Sequence, residues 1–305
     1  MKLLIYFALI LAFQLNGSFA YANSPLEYAY VIKSPNGRKS RILGTIHAGI
    51  KLQDMPPEIM EIIASAKRLV VESNEETSLH AIQLLLEKES EIGFSSENLD
   101  SHLSKLIDRE DIDWRGITPP GVDKSTFISS SLKSPVSVSI LLTSLTCLTL
   151  MKEAQQTTTL DQEIVNAFQA INDGVIHYLD SLEILTQVYE KVFNPQLNSV
   201  ILDNYQNIIK ISQREAQYYR RGKELPESIE AYFTQIQRTS FAGMMDPEVI
   251  SYLGSFRNHQ WLSILREQIN KGDAFIAFGL THLIGKDGIL NLLRQDGYEV
   301  TPLKQ

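Results

Sequence analysis

Two segments of this 305-residue chain place a glycine three residues before a histidine: Gly44-Thr45-Ile46-His47 and Gly279-Leu280-Thr281-His282. A third residue belongs with them, Glu72, which closes the apolar run Leu69-Val70-Val71. Two imidazoles and a carboxylate are a suitable donor set for a divalent ion. Imidazole nitrogen binds Zn, Mn, Co or Fe(II), the carboxylate offsets part of the charge, and the remaining positions admit water. The ion lowers the pKa of that water until it is a usable nucleophile near neutral pH. Glycine at positions 44 and 279 suits a strand end that must turn sharply or let a ligand approach the backbone. Gly-x-x-His by itself is a weak pattern, and a lone histidine after a strand more often serves as a hydrogen-bonded structural group.

The elements that hold these residues can be read from periodicity and breakers. Glu27–Lys33 alternates, Ser34-Pro35-Asn36-Gly37 is a turn, and Arg38–Gly44 returns, which predicts a hairpin. Pro56-Pro57-Glu58 opens a helix with Ile59, Ile62, Ile63 and Ala66 on one face, and Arg68–Glu72 follows as a short buried strand. Near the C-terminus Ala274–Phe278 is an apolar strand, Asp287–Arg294 a helix and Tyr298–Leu303 a final strand. A strand–helix–strand unit of this kind predicts parallel strands with a right-handed crossover. His47, Glu72 and His282 then each fall at or just past the C-terminal end of a strand, the edge at which α/β sheets bind ligands.

Helical patterns fill the middle: Ser78–Glu91, Leu99–Asp108, Ser134–Glu153, Thr159–Asn172, Leu182–Gln217 with a break near Pro195, Ser228–Thr239 and Asp246–Asn270. A short strand is predicted at Val175–Leu179, and the polar stretch Tyr218–Pro226 reads as a surface linker. Gln162 stands at capping-box spacing from Thr159. The fold class is therefore α/β, a mixed central sheet built from an N-terminal hairpin plus parallel strands, with many covering helices.

Composition narrows the function. The formal net charge is −8 and no Lys/Arg cluster offers a basic face, so nucleic acid is excluded as a partner. The one cysteine, Cys147, sits inside the apolar run Val136–Met151, which predicts a buried, inert thiol and no internal disulfide. That run is short and rich in Ser and Thr, which favours a core helix over a membrane span. At the N-terminus, Lys2, the apolar Leu3–Leu15 and the small-x-small triplet Ala20-Tyr21-Ala22 read as a cleavable leader over residues 1–22. The expected product is an exported domain over 23–305, periplasmic or secreted, with no stable membrane span after the leader is removed.

The segments Arg41–His47 and Pro56–Glu72 at one end, with Arg257-Asn258, Phe275–Leu283, Gly285, Gly288, Leu292-Leu293 and Gly297–Val300 at the other, closely resemble the TraB/GumN/TIKI family. The middle is looser. Leu160-Asp161 resembles a family Leu/Val-Asp at a helix start, and Leu179-Asp180-Ser181 resembles the family's Leu-Glu-Thr with Asp180 in place of Glu. The resemblance implies a fold related to the erythromycin-esterase and ChaN-like group. It also implies metal-dependent protease activity with a divalent ion (Mn, Co or Zn) and a peptide or protein substrate. Carried over, His47 and His282 would be metal ligands or electrophilic groups, and Glu72 a ligand or the general base. Arg257 and Asn258 would bind substrate or stabilise an oxyanion. If the family Glu matters for catalysis, its shortening to Asp180 bears directly on activity.

Other candidates are read more conservatively. Glu75 and Glu76 read as a charged rim, Asp161 as a helix N-terminal acid, and His80, His102 and His177 as surface or core histidines. His259, just after Arg257-Asn258, is the remaining histidine best placed to approach the site. The expectation is an exported hydrolase acting on a peptide bond through metal-activated water. The alternatives are a non-catalytic haem or ligand binder, and an exported interaction (effector) protein on the same fold.

Overall fold

In the computed structural model, residues 26–92, 104–106, 108, 121–221 and 245–303 are described. The leader expected at 1–22, the helix predicted over 228–239 and most of the one predicted over 99–108 lie outside those residues, as does His102.

The Asn36-Gly37 turn forms the predicted hairpin. Gly37 takes φ +83°, a left-handed value that a glycine adopts without steric cost, and Ser34 and Arg38 close the turn with a 2.9 Å backbone hydrogen bond. Strand β1 (Leu26–Lys33) pairs antiparallel with β2 (Lys39–Thr45). Three further strands, β3 (Arg68–Val71), β4 (Val175–Tyr178) and β5 (Ala274–Gly279), lie parallel to β2 in the sheet order β4-β3-β5-β2-β1-β6. The last strand, β6 (Glu299–Leu303), pairs antiparallel with β1. It therefore runs in the same direction as β5, as predicted, but is not its neighbour. Both edges of β5 are already taken, by β3 and β2, and the free edge is that of β1.

Helices cover both faces. Helices α1 (Pro57–Ser65), α5 (Leu160–Ile171), α9 (Arg257–Lys271) and α10 (Ile289–Gln295) pack on the sheet in one core with Leu69, Val70, Phe275 and Ile276. A second core is almost wholly helical. It joins α2 (Glu75–Ile92), α3 (Lys124–Ser131), α4 (Pro135–Glu153), α6 (Leu182–Val192), α7 (Pro195–Arg221) and α8 (Pro247–Ser251). The residues 218–221 read as the start of a linker instead continue α7.

Helix α4 is long and apolar enough to cross a membrane by length and composition, yet 72% of its Pro135–Lys152 window is buried inside the protein. It packs along α7. The hydroxyls of Thr143 and Ser144 satisfy themselves on carbonyls four residues back, and Ser139 also reaches Asn198 at 2.5 Å. Cys147 is buried there, and burial pushes its thiol well above the usual range.

The helix predicted as continuous over 246–270 is interrupted. Between α8 and α9 the chain forms one π-helical turn, Tyr252–Phe256. Such turns insert a residue into the helical register and recur at functional sites. Beyond it, Arg257, Asn258, Trp261, Leu262 and Leu265 are all buried on one face of α9, toward the sheet edge. Thr159 caps α5 through its hydroxyl, as its spacing suggested, but the Gln162 side chain turns to Asn166, so only half of a capping box forms.

Candidate functional site

Each of the four parallel strands delivers one ionisable side chain past its C-terminal end: His47 after β2, Glu72 after β3, Asp180 after β4 and His282 after β5. The backbone N–H groups of Leu179 and Asp180 both donate to the Glu72 carbonyl, which ties the β3 and β4 ends together. The two glycines have different reasons. At Gly44 a Cβ would lie 2.5 Å from Leu280 Cδ1 and 3.0 Å from its Cα, so the loop after β5 packs directly on that backbone. At Gly279 a Cβ would enter the site itself, 3.1 Å from Glu72 Oε1, 3.5 Å from His282 Cδ2 and 3.7 Å from His47 Nε2. The three side chains thus face one point above Gly279. Neither glycine takes a positive φ, so close approach, not turn geometry, explains both.

His47 is backed by Asp161. Its Nδ1–H donates to Asp161 Oδ2, while Thr45 Oγ1 donates to Asp161 Oδ1 at 2.6 Å. The ring is buried, and its Nε2 has no hydrogen-bond partner. Burial opposes a charge on this imidazole, but the Asp161 carboxylate, helped by Glu72, outweighs it and pushes the pKa up to about 9. His47 therefore carries a proton on Nε2 at neutral pH, directed into the site. The following loop is clamped by Gln156, which accepts from Gly49 N–H and donates to the Ile50 carbonyl.

The opposite wall is organised around Arg257. Its NH2 donates to Glu72 Oε2 at 2.7 Å and to Asp180 Oδ2 at 2.6 Å, its Nε lies 3.3 Å from Asp180 Oδ1, and its NH1 donates to His282 Nε2 at 3.2 Å. The guanidinium lies over the Trp261 ring at 4.5 Å, and Trp261 Nε1 donates to Asp180 Oδ1 at 2.8 Å. Glu72 Oε1 accepts the Gly279 N–H at 2.6 Å. Burial resists ionisation of Glu72, but Arg257 beside it holds the carboxyl well below the ordinary carboxylate range. For Asp180, which is more deeply buried, desolvation wins and its carboxyl shifts up despite the same guanidinium. His282 is pushed down to about 3 by burial and by Arg257, so it is neutral, and its 3.9 Å approach to Glu72 Oε1 is not an ion pair. Its Nδ1–H donates to Asn258 Oδ1 at 2.7 Å.

A cavity of about 550 Å³ opens over this cluster. His47, Glu72 and Asp161 line it, with Glu75, Glu76 and the Thr157–Thr159 hydroxyl run on its walls, and no Lys or Arg among the lining residues. Arg257, Asn258 and His282 lie behind, buried and outside the lining. The arrangement can present a proton donor and a carboxylate to a carbonyl group in the cavity, from a charged framework that lies outside its lining.

The donor types expected for a metal are all present, but their lone pairs are not free together. Nε2 of His282 has given its one lone pair to Arg257, and Glu72 is tied to Arg257 through Oε2 while Oε1 keeps a lone pair beside the Gly279 N–H. Only Nε2 of His47 is unengaged, and among the described residues no group of three or more His, Cys, Asp or Glu is disposed to hold an ion. As they stand, these side chains do not fit a bound divalent metal.

The structure gathers His47, Glu72, His282, Arg257 and Asn258 at one place. Arg257 and Asn258 hold other side chains there and do not reach the cavity. Glu75 and Glu76 are lining residues as well as first-turn acids of α2. Asp161, read as a helix N-terminal acid, is that and also the partner of His47. His259 turns away: it is exposed and bonded to the Ser255 carbonyl. Trp261 and Gln156 were not singled out by motif. Trp261 has one faint signal, its place among the residues spaced along the buried face of α9. Gln156 left no such signal.

The model of the TraB/PrgY/gumN family matches residues 29–302, nearly the whole chain. No curated protein and no solved structure matches it.

Proposed function

The chain belongs to the TraB/PrgY/gumN family, and from that premise we propose that it is a hydrolase that cleaves a peptide bond at the His47–Glu72 cluster. The observation that carries this reading is the unpartnered Nε2 of His47, buried at the cavity wall and backed by Asp161, facing the same point as the Glu72 carboxylate. A buried donor with no partner costs on the order of 1–3 kcal/mol, a cost that a bound carbonyl oxygen would relieve.

In this reading water attacks the substrate carbonyl carbon, and its proton passes to Glu72 Oε1 as the new C–O bond forms. Arg257 keeps Glu72 a weak base, so the transfer is completed only as the attacking water becomes strongly acidic. Nε2–H of His47 stabilises the developing oxyanion and then protonates the leaving amine as the C–N bond breaks. The proton on Glu72 returns to His47 through solvent, and the products are a carboxylic acid and an amine, which ionise to carboxylate and ammonium in water. Asp161 keeps the imidazole oriented and charged. A divalent ion enters no step. The leader pattern supports export, which places the substrate outside the cytoplasm.

The test is a peptide-library digest with purified protein, read by mass spectrometry, beside His47→Ala and Glu72→Gln with folding checked by circular dichroism. Cleavage by the parent protein that disappears in both folded variants is the expected result. Undiminished cleavage in either variant, or no cleavage of any peptide by the parent, would overturn the reading.

A further inference from the structure

We propose that Arg257 is the resident cation of this centre, standing where a divalent ion would have to bind, and that the protein binds no catalytic metal. The inference rests on the hydrolase reading for the reaction it serves, but its evidence is separate. A metal at the common point above Gly279 would need Glu72 and Nε2 of His282 as donors beside His47. Both are already bonded to one guanidinium, at 2.7 Å and 3.2 Å.

That guanidinium is not a movable surface group. Asp180 grips it through both carboxylate oxygens, and Trp261 lies under it while donating to Asp180. The π-helical turn immediately before it sets the register that buries Arg257 and Asn258 together. Asp180 has a backbone anchor as well, on the Glu72 carbonyl at 2.7 Å. Displacing Arg257 would strand two buried carboxylates. Leaving it in place would set a fixed positive charge directly against the incoming ion. Either way, binding is opposed by the same buried network.

The lone pair on His282 is directed by the same logic. Asn258 spends its N–H groups on the carbonyls of His282 and Asp287, so its Oδ1 faces His282 Nδ1 and requires a proton there. Nε2 is therefore the acceptor, and Arg257 NH1 is its donor. In a metal site the same second-atom support would aim Nε2 at the ion. Here it is aimed at an arginine. Arg257 is then a positioning residue. It keeps Glu72 ionised and fixes its Oε2, which leaves Oε1 facing the cavity and the His47 proton.

The experiment uses the purified protein, dialysed against EDTA and then given Mn²⁺, Co²⁺ or Zn²⁺ separately. Metal content, Co²⁺ visible absorption and the thermal midpoint are read in each case. No stoichiometric metal, no Co²⁺ ligand-field band and an unmoved midpoint are expected, and peptide cleavage should survive the chelator. A stoichiometric Co²⁺ band that His47→Ala and His282→Ala both abolish would overturn the inference. Arg257→Lys provides a second arm, because it keeps the charge and loses the fork. At least a tenfold fall in kcat with an unchanged KM is expected, since Arg257 does not touch the cavity. A raised KM with kcat retained would make Arg257 a substrate ligand and overturn the positioning role. Metal binding is read without substrate, so a protein that cleaves nothing would defeat the hydrolase reading alone, and one that binds Co²⁺ at these histidines would defeat this inference alone.

Discussion

Asn258 sets the tautomer of His282: with its amide N–H groups engaged by the carbonyls of His282 and Asp287 at 3.2 and 2.7 Å, its oxygen is left to accept Nδ1–H at 2.7 Å. A motif defined by glycine and histidine thus depends on a residue from another helix to decide which ring nitrogen faces the site. Asn258→Ala would leave a buried N–H, a buried carbonyl and a partly buried carbonyl without this partner. A loss of about 1–3 kcal/mol in unfolding free energy is expected, measured by urea titration. The imidazole ¹⁵N shifts of His282 should report one tautomer in the parent protein and a mixture in the variant.

The His47–Asp161 pair should make stability, and the proposed cleavage with it, decline at alkaline pH. The folded pKa of His47, about 9, lies above its ordinary 6.5, so the charged form stabilises the fold. That contribution is complete below 6.5 and is lost as pH rises through 9. It is on the order of 3 kcal/mol at most. Denaturant unfolding on either side of this window should show the decline, and Asp161→Asn should remove it. Cleavage should fall on the same alkaline limb, because His47 then has no proton to give. Asp161→Asn should move that limb to lower pH, and an unmoved limb would assign it to another group.

Alanine at the two motif glycines should separate packing from chemistry. Gly44→Ala drives a methyl into Leu280, including its backbone, and should cost about 1–3 kcal/mol of stability. Gly279→Ala meets a side-chain oxygen of Glu72 first, at 3.1 Å, and no backbone atom as close. It should leave the thermal midpoint closer to the parent value and reduce cleavage by more than tenfold, because Glu72 must shift from the point it shares with His47. Equal thermal losses in the two variants would contradict this account.

Asp180 stands where the family resemblance expects a glutamate; it holds Arg257 and lies outside the cavity lining. Asp180→Asn removes one of the two carboxylates that pair with a buried guanidinium, and Glu72 remains as the other. A destabilisation of about 1–3 kcal/mol is expected, read as a lower denaturation midpoint. Trp261→Phe keeps the ring and loses one hydrogen bond to Asp180, so it should cost only about 1–2 kcal/mol.

Much of this arrangement follows from local rules written in the chain order. The Pro-Asn-Gly turn, the apolar runs before Glu72 and Gly279, and the helical spacing of Ile59, Ile62 and Ile63 are short-range signals, and each became the element it suggested. Because strand ends in a parallel sheet share one edge, His47, Glu72 and His282 could be placed together without coordinates. Which atoms they present could not. Asp161, Asn258, Asp180 and Trp261 reach those three from α5, from α9 and from the end of β4, across sequence separations that carry no periodic signal. The π-helical turn before Arg257 contains Gly254-Ser255, a pair that permits an irregular turn but does not specify the extra residue. Hydrogen bonds between distant side chains, not the motif, therefore set the proton on His47, the lone pair of His282 and the cation beside Glu72. Such bonds exist only once packing has brought their donors and acceptors within about 3 Å.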